Sequence, residues 1–177
     1  PKFNKEVILQ QMKKATVLMG VPTFYVRLLE LQNISQETTA HMRLLVSGSA
    51  PLLAETHKRW SEVTGTAMLE RYGMTETNRN AYNPYDGERR AGTVGLALPG
   101  VEVRIADPDT GKELVQGEIG SVEISGPNVF KGYWQMPEKT KEEFREDGFF
   151  ITGDMGMKDK DNFHSISDLI TISTLTT

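Results

Sequence analysis

The stretch ERYGMTETN (70–78) sets Thr75, Glu76, Thr77 and Asn78, all oxygen-bearing, in a row after an apolar run. A surface turn needs only one or two such residues. A threonine hydroxyl can donate to a phosphate oxygen, and a glutamate can ligate a hard cation such as Mg²⁺ that bridges phosphates. Gly73 lets the backbone approach a flat base or a phosphate closely. These residues point to a Mg²⁺-nucleotide site. The competing reading is local, since Thr-Glu pairs often cap a helix. Asp154 in TGD (152–154) is a second candidate. A carboxylate in a glycine turn can accept both hydroxyls of a ribose; the competing reading is a plain turn. The loop SGSAP (47–51) is a third, because it too carries glycine after a buried run.

Such residues need a scaffold that brings them to one edge. In an open parallel sheet, ligands bind beyond the carboxyl ends of the strands. TVLMG (16–20), RLLVS (43–47) and the segment 68–72 read as buried strands. Between them the spacing predicts helices. One follows an Asn4 cap, with Val7, Ile8, Leu9, Met12 and Ala15 at helical spacing. One starts at Pro22, with Phe24, Leu28, Leu29 and Leu31 on its inner face. One is led by Pro51, turns Trp60 and Val63 inward and ends at Gly65. Alternating strands and helices predict an α/β part over 1–90, its parallel sheet completed by strands upstream.

Near Ala91 the texture changes to glycine, turn signals and strict alternation. Val101, Val103 and Ile105 alternate with Glu102 and Arg104, and Val122 and Ile124 with Glu123. That predicts half-buried antiparallel strands, with DPDTGK (107–112) as a turn, in a small barrel-like part over 91–177. MPEKTKEEFREDG (136–148) reads as a short helix, and FFITGDMGM (149–157) as a strand broken by an oxygen-bearing turn. Trp134 and Tyr133 are expected to pack against the barrel. The tail from about 161 fits neither texture.

Composition narrows the classes. The formal charge of −4 over 177 residues argues against a nucleic-acid groove. There is no cysteine, which fits a reducing compartment and leaves out thiolate metal sites. His41, His57 and His164 lack metal-ligand spacing and read as structural or surface residues. No apolar run approaches the ~18 residues of a membrane span. The start, PKFNKEVILQ, has neither an initiator Met nor the shape of a signal peptide, and reads as a cut inside a longer chain. The expected location is the cytoplasm, or the mitochondrion if a transit peptide precedes. Oligomeric state stays open.

The motifs in order say more than each alone. ERYGMTET, then GTVGLALPGVEVRI, then GEIGSVEISGPNVFKGYW, then DGFFITGD resemble the adenylate-forming acyl-CoA synthetases in order and spacing. Within them the chain is most similar to the malonyl-CoA synthetases, through NPYDGERRAGTVG, GVPTFYVRLLE and SGSAPLLAETHKRW as well. The resemblance implies ligation of a carboxylate, malonate by preference, using ATP, Mg²⁺ and coenzyme A. It implies that Thr75 contacts phosphate and Glu76 holds Mg²⁺. Tyr72 and Gly73 line the adenine and acyl pockets, Ser49, Ala50 and Pro51 pass beside the adenine, and Asp154 binds the ribose. The segment from Val21 to Tyr25 borders the acyl site. A dicarboxylate's spare carboxylate wants an arginine fork, and Arg71, Arg79, Arg89 and Arg90 are at hand. Of these, Arg79, which stands where the malonate enzymes carry Met, is taken with Val21 as the substrate candidate.

The family's glycine-rich phosphate loop is expected upstream of Pro1. SDLITIS (167–173) reads either as a damaged echo of the family's hinge or as foreign sequence, and no lysine of its mobile lid follows Lys160. The isolated chain is therefore expected to be inactive. Two alternatives remain: a non-catalytic binding module that keeps the family core, and an aryl- or short-chain acyl-CoA ligase with an apolar acyl pocket.

Overall fold

A computed structural model describes residues 2–167, so the expected hinge echo lies, from residue 168 on, outside the described residues. The chain forms two compact units. One comprises residues up to 71 together with 83–92, and the other 72–82 together with residues from 93 onward. The segment 72–82, which carries Tyr72 to Arg79, thus belongs with the later residues.

In the first unit, α1 (Lys5–Met12) starts at Asn4, whose side-chain oxygen accepts from the Val7 amide at 2.9 Å. Strands β1 (Val17–Gly20), β2 (Leu44–Ser47) and β3 (Leu69–Tyr72) run parallel, with Val17 opposite Leu44 and Val46 opposite Leu69. Helices α2 (Pro22–Leu29), α3 (Gln36–Thr39) and α4 (Ala54–Thr64) supply the crossovers. Leu9, Met12, Tyr25, Leu28, Leu45, Trp60 and Met68 form the core.

The buried aromatic of α2 is Tyr25, with Phe24 only half-buried. Tyr25 meets Trp60 edge-on with ring centroids 5.0 Å apart, and its hydroxyl donates to the Val46 carbonyl at 2.6 Å. A tyrosine can be buried here because its polar tip is satisfied. Helix α4 starts at Ala54 rather than at Pro51, so Pro51 sits in an irregular link. Gly65 ends α4 in the left-handed region at φ 70.

In the second unit, β4 (Ala81–Tyr82) pairs antiparallel with β5 (Leu96–Ala97). Strands β6 (Glu102–Ala106), β7 (Ile119–Ser125), β8 (Phe150–Lys158) and β9 (His164–Ser167) form an antiparallel sheet in that order. Regular structure thus continues past 161 to Ser167. The turn at 107–111 folds the chain back on the end of β6, where Glu113 bridges Ala106, before β7 begins. Helix α5 is short (Pro137–Glu142), and Gly148 closes a separate turn onto the Arg145 carbonyl.

Two expectations fail in this unit. Strand β7 is buried on both faces, and Glu123 is fully buried. Its carboxylate accepts from Arg104 on one oxygen and from Arg145 on the other, each within 2.8 Å. A carboxylate can leave water only with such partners. Trp134 does not pack inward; it is 87% exposed.

His164 makes the stability of this unit depend on pH. Its Nδ1–H donates to the Gly95 carbonyl at 3.2 Å, and Nε2 is buried without a partner. Burial pulls its pKa below the usual 6.5. The unfolded histidine therefore takes up its proton at a higher pH than the folded one. The stabilisation is complete above the unfolded pKa and is lost as pH falls through the folded one. Urea midpoints are expected to fall between about pH 7.5 and pH 5, and to fall less in His164→Gln. Equal slopes for the two proteins would assign the effect to other groups.

Candidate active site

The second unit holds the oxygen-rich turn. Residues 75–78 lead into no helix, so helix capping does not account for them. Instead the Thr77 amide closes a turn on the Met74 carbonyl at 3.3 Å, and Asn78 adopts a left-handed φ of 59. A Cβ on Gly73 would lie 2.1 Å from the Asn78 carbonyl oxygen. The glycine thus makes room for the protein's own returning backbone. Asn128 pins the turn by donating to the Thr77 carbonyl at 2.6 Å and the Arg79 carbonyl at 3.0 Å.

This turn sorts its oxygens. Thr77 is fully buried, whereas Thr75 is exposed. Among the described residues, no side chain bonds the Thr75 hydroxyl and no cation pairs with Glu76. The Glu76 carbonyl accepts from the Phe130 amide at 2.7 Å, and its Oε1 accepts from the Tyr133 hydroxyl at 3.2 Å. Arg79 is exposed.

Asp154 stands in a bulge and not in a turn between strands. Ile151 pairs with Glu123 and Met155 with Ser121, so residues 152–154 together face Val122 alone. Gly153 accommodates the bulge at φ 81. The Thr152 hydroxyl donates to the Val122 carbonyl at 2.8 Å and accepts from the Asp154 amide at 3.1 Å. The side chain of Asp154 then receives the Tyr72 hydroxyl on Oδ2 at 2.5 Å. Burial, and then the bond to Asp154, push the Tyr72 pKa far up. Tyr72 therefore keeps its proton and orients the carboxylate.

The first unit holds a concavity of about 300 Å³ lined by Gly20, Val21, Phe24, Gly48, Ser49 and Arg71, among others. Ser49 adopts a φ of 67, uncommon for a residue other than glycine. Ala50 and Pro51 follow it on the exposed loop. Arg71 lies over Gly48, where a Cβ would come within 2.9 Å of its side chain. Its Nε is buried without a hydrogen-bond partner. The other nearby arginines of this unit are engaged: Arg89 donates to the carbonyls of Ala67, Pro84 and Tyr85, and Arg90 pairs with Glu88. Sequence alone offered Arg71 as one of four arginines and put Arg79, not Arg71, forward for the substrate. Its distinguishing mark, a buried nitrogen left unpaired, exists only in the fold.

The donor set fits a metal delivered on phosphates. Among the described residues, no three acidic or histidine side chains converge on a metal position. A single carboxylate beside an exposed hydroxyl is what Mg²⁺ needs when it arrives with a nucleotide and keeps several of its waters.

The fold places the protein among the adenylate-forming enzymes. Residues 1–134 match the AMP-binding enzyme family, and the chain belongs to it. It is 42% identical over 159 residues to the malonate–CoA ligase of Arabidopsis thaliana, covering 85% of this chain and 26% of that protein. ATP-bound MatB from Rhodopseudomonas palustris superimposes with a TM-score of 0.91 at 65% identity, over 93% of this chain and 33% of that one. A malonyl-CoA ligase product complex with methylmalonyl-CoA and AMP gives a TM-score of 0.82 at 43% identity, over 94% and 36%. The chain thus spans between about a quarter and a third of the relatives it matches.

The crowding at Gly73 can be tested by filling it. Gly73→Ala is expected to cost about 1–3 kcal/mol, because the 74–78 turn must move to admit a methyl group. Urea unfolding followed by far-ultraviolet circular dichroism measures it. An unchanged midpoint would mean that the turn reorganises freely.

Proposed function

We propose that this chain is the part of a carboxylate–CoA ligase that grips the nucleotide and the acid, with malonate or a similar short dicarboxylate as the acid. The observation that carries the proposal is Arg71. A guanidinium nitrogen buried without a partner is costly unless an anion completes it. Its place beside Val21 and Ser49 suits the second carboxylate of a dicarboxylate, met by the flat guanidinium fork. An aryl-CoA ligase would want that concavity apolar.

The remaining roles are those the family resemblance implies. Asp154, held by Tyr72, offers its carboxylate to the ribose hydroxyls. Thr75 donates to a phosphate oxygen, and Glu76 ligates Mg²⁺. Gly73, Ser49, Ala50 and Pro51 supply backbone beside the nucleotide. The exposed guanidinium of Arg79 is left for the outer rim of the site. When bound, Mg²⁺ offsets the repulsion between the attacking carboxylate and the triphosphate. The carboxylate displaces pyrophosphate to give acyl-AMP, and the thiol of coenzyme A then displaces AMP. The cysteine-free chain suits a reducing compartment, either the cytoplasm or the mitochondrial matrix. No helix among the described residues is long and apolar enough to cross a membrane.

In a complete ligase carrying this segment, Arg71→Met is expected to lower kcat/KM for malonate by about 100-fold and to leave that for butyrate within a few-fold. Equal losses on the two acids would reduce Arg71 to a structural role. Glu76→Gln is expected to abolish most malonate-dependent pyrophosphate exchange, since the amide lacks the charge that holds Mg²⁺. The 177-residue chain alone is expected to form no malonyl-CoA. Multiple turnovers by it above a Glu76→Gln control would overturn that expectation.

A further inference from the structure

We propose that Tyr133 is a positioning residue for Glu76, holding that carboxylate in the orientation in which it meets a divalent cation on nucleotide phosphates. The inference rests on the nucleotide reading above and adds a residue to it. The segment that begins at Phe130 grips Glu76 twice. The Phe130 amide takes its backbone carbonyl at 2.7 Å, and the Tyr133 hydroxyl takes its side-chain Oε1 at 3.2 Å.

Tyr133 is itself fixed. Its ring stands edge-on to Phe130 at 4.8 Å, and Phe130 packs on Phe144 and Phe150 at 5.8 and 5.3 Å. The Tyr133 amide donates to the Thr140 hydroxyl at 2.9 Å. The phenol is therefore a placed donor and not a loose one.

The chemistry of the donor matters as much as its place. Lysine or arginine would neutralise Glu76 and compete with a cation. A phenol orients the carboxylate, leaves its charge intact, and leaves Oε2 open. Groups that hydrogen-bond a metal ligand in this way tune the metal without touching it.

The experiment uses the 177-residue chain and three variants, Tyr133→Phe, Glu76→Gln and the double substitution, each checked for folding by urea unfolding. ATP binding is measured by calorimetry with Mg²⁺ and again with EDTA. Mn²⁺-ATP is followed by paramagnetic resonance as a report on the metal's surroundings. Tyr133→Phe is expected to weaken Mg²⁺-ATP binding about tenfold, to leave ATP binding in EDTA unchanged, and to alter the Mn²⁺ spectrum. In the Glu76→Gln background it is expected to add nothing. An equal loss in EDTA, or a loss that adds to that of Glu76→Gln, would make Tyr133 mere packing and overturn the proposal. If Glu76→Gln weakens Mg²⁺-ATP binding and Tyr133→Phe does not, only the positioning role fails. If the wild-type chain shows no metal-dependent ATP binding, or Glu76→Gln leaves it intact, the metal reading beneath it fails as well.

Discussion

A charge taken out of water must be met by another group, and this chain obeys that constraint with a single exception among the sites described above. Glu123 is met by two arginines, one on each oxygen. Glu70, whose pKa burial raises, is met by a hydrogen bond with His57 Nδ1 at 3.0 Å. Next to Glu70 on the same strand stands Arg71, with a buried nitrogen that nothing meets. Two satisfied carboxylates show that the fold can bear this cost where it is purely structural. The Arg71 nitrogen is the one left unmet, and on the function proposed above an anion completes it.

Strand geometry explains how one short segment does so much. Successive side chains of a strand point to opposite faces. Glu70 reaches back to α4 through His57, while Arg71 turns to the concavity. Tyr72 then reaches Asp154, distant in sequence, through its hydroxyl. A one-residue slip of β3 would exchange these faces, so the register of Val46 with Leu69 decides which side chain lines the concavity.

What the sequence made legible was whatever local chemistry decides. Asn4 caps α1, Gly65 ends α4, and alternating apolar residues form β6, because each depends on neighbours within a few positions. The family resemblance rested on ordered motifs and carried the class. What stayed hidden depends on partners far along the chain. Glu123 looks like an outward residue until Arg104 and Arg145 arrive from other segments. TGD looks like a turn, but it is a bulge defined by pairing with β7. Tyr133 gives no sign in sequence that it will meet Glu76, fifty-seven positions away. The unpaired nitrogen of Arg71 is likewise a property of packing, and no spacing rule contains it.

The two tryptophans divide evenly between the two units. Trp60 is fully buried against Tyr25 in one, and Trp134 stands in solvent in the other. Their indoles occupy opposite optical surroundings, apolar and aqueous. The native emission is therefore a sum of a blue and a red component, and an aqueous quencher reaches only the second. The chain carries a built-in pair of fluorophores, one that reports the packed core of the first unit and one that reports the solvent-facing segment around Trp134 in the second.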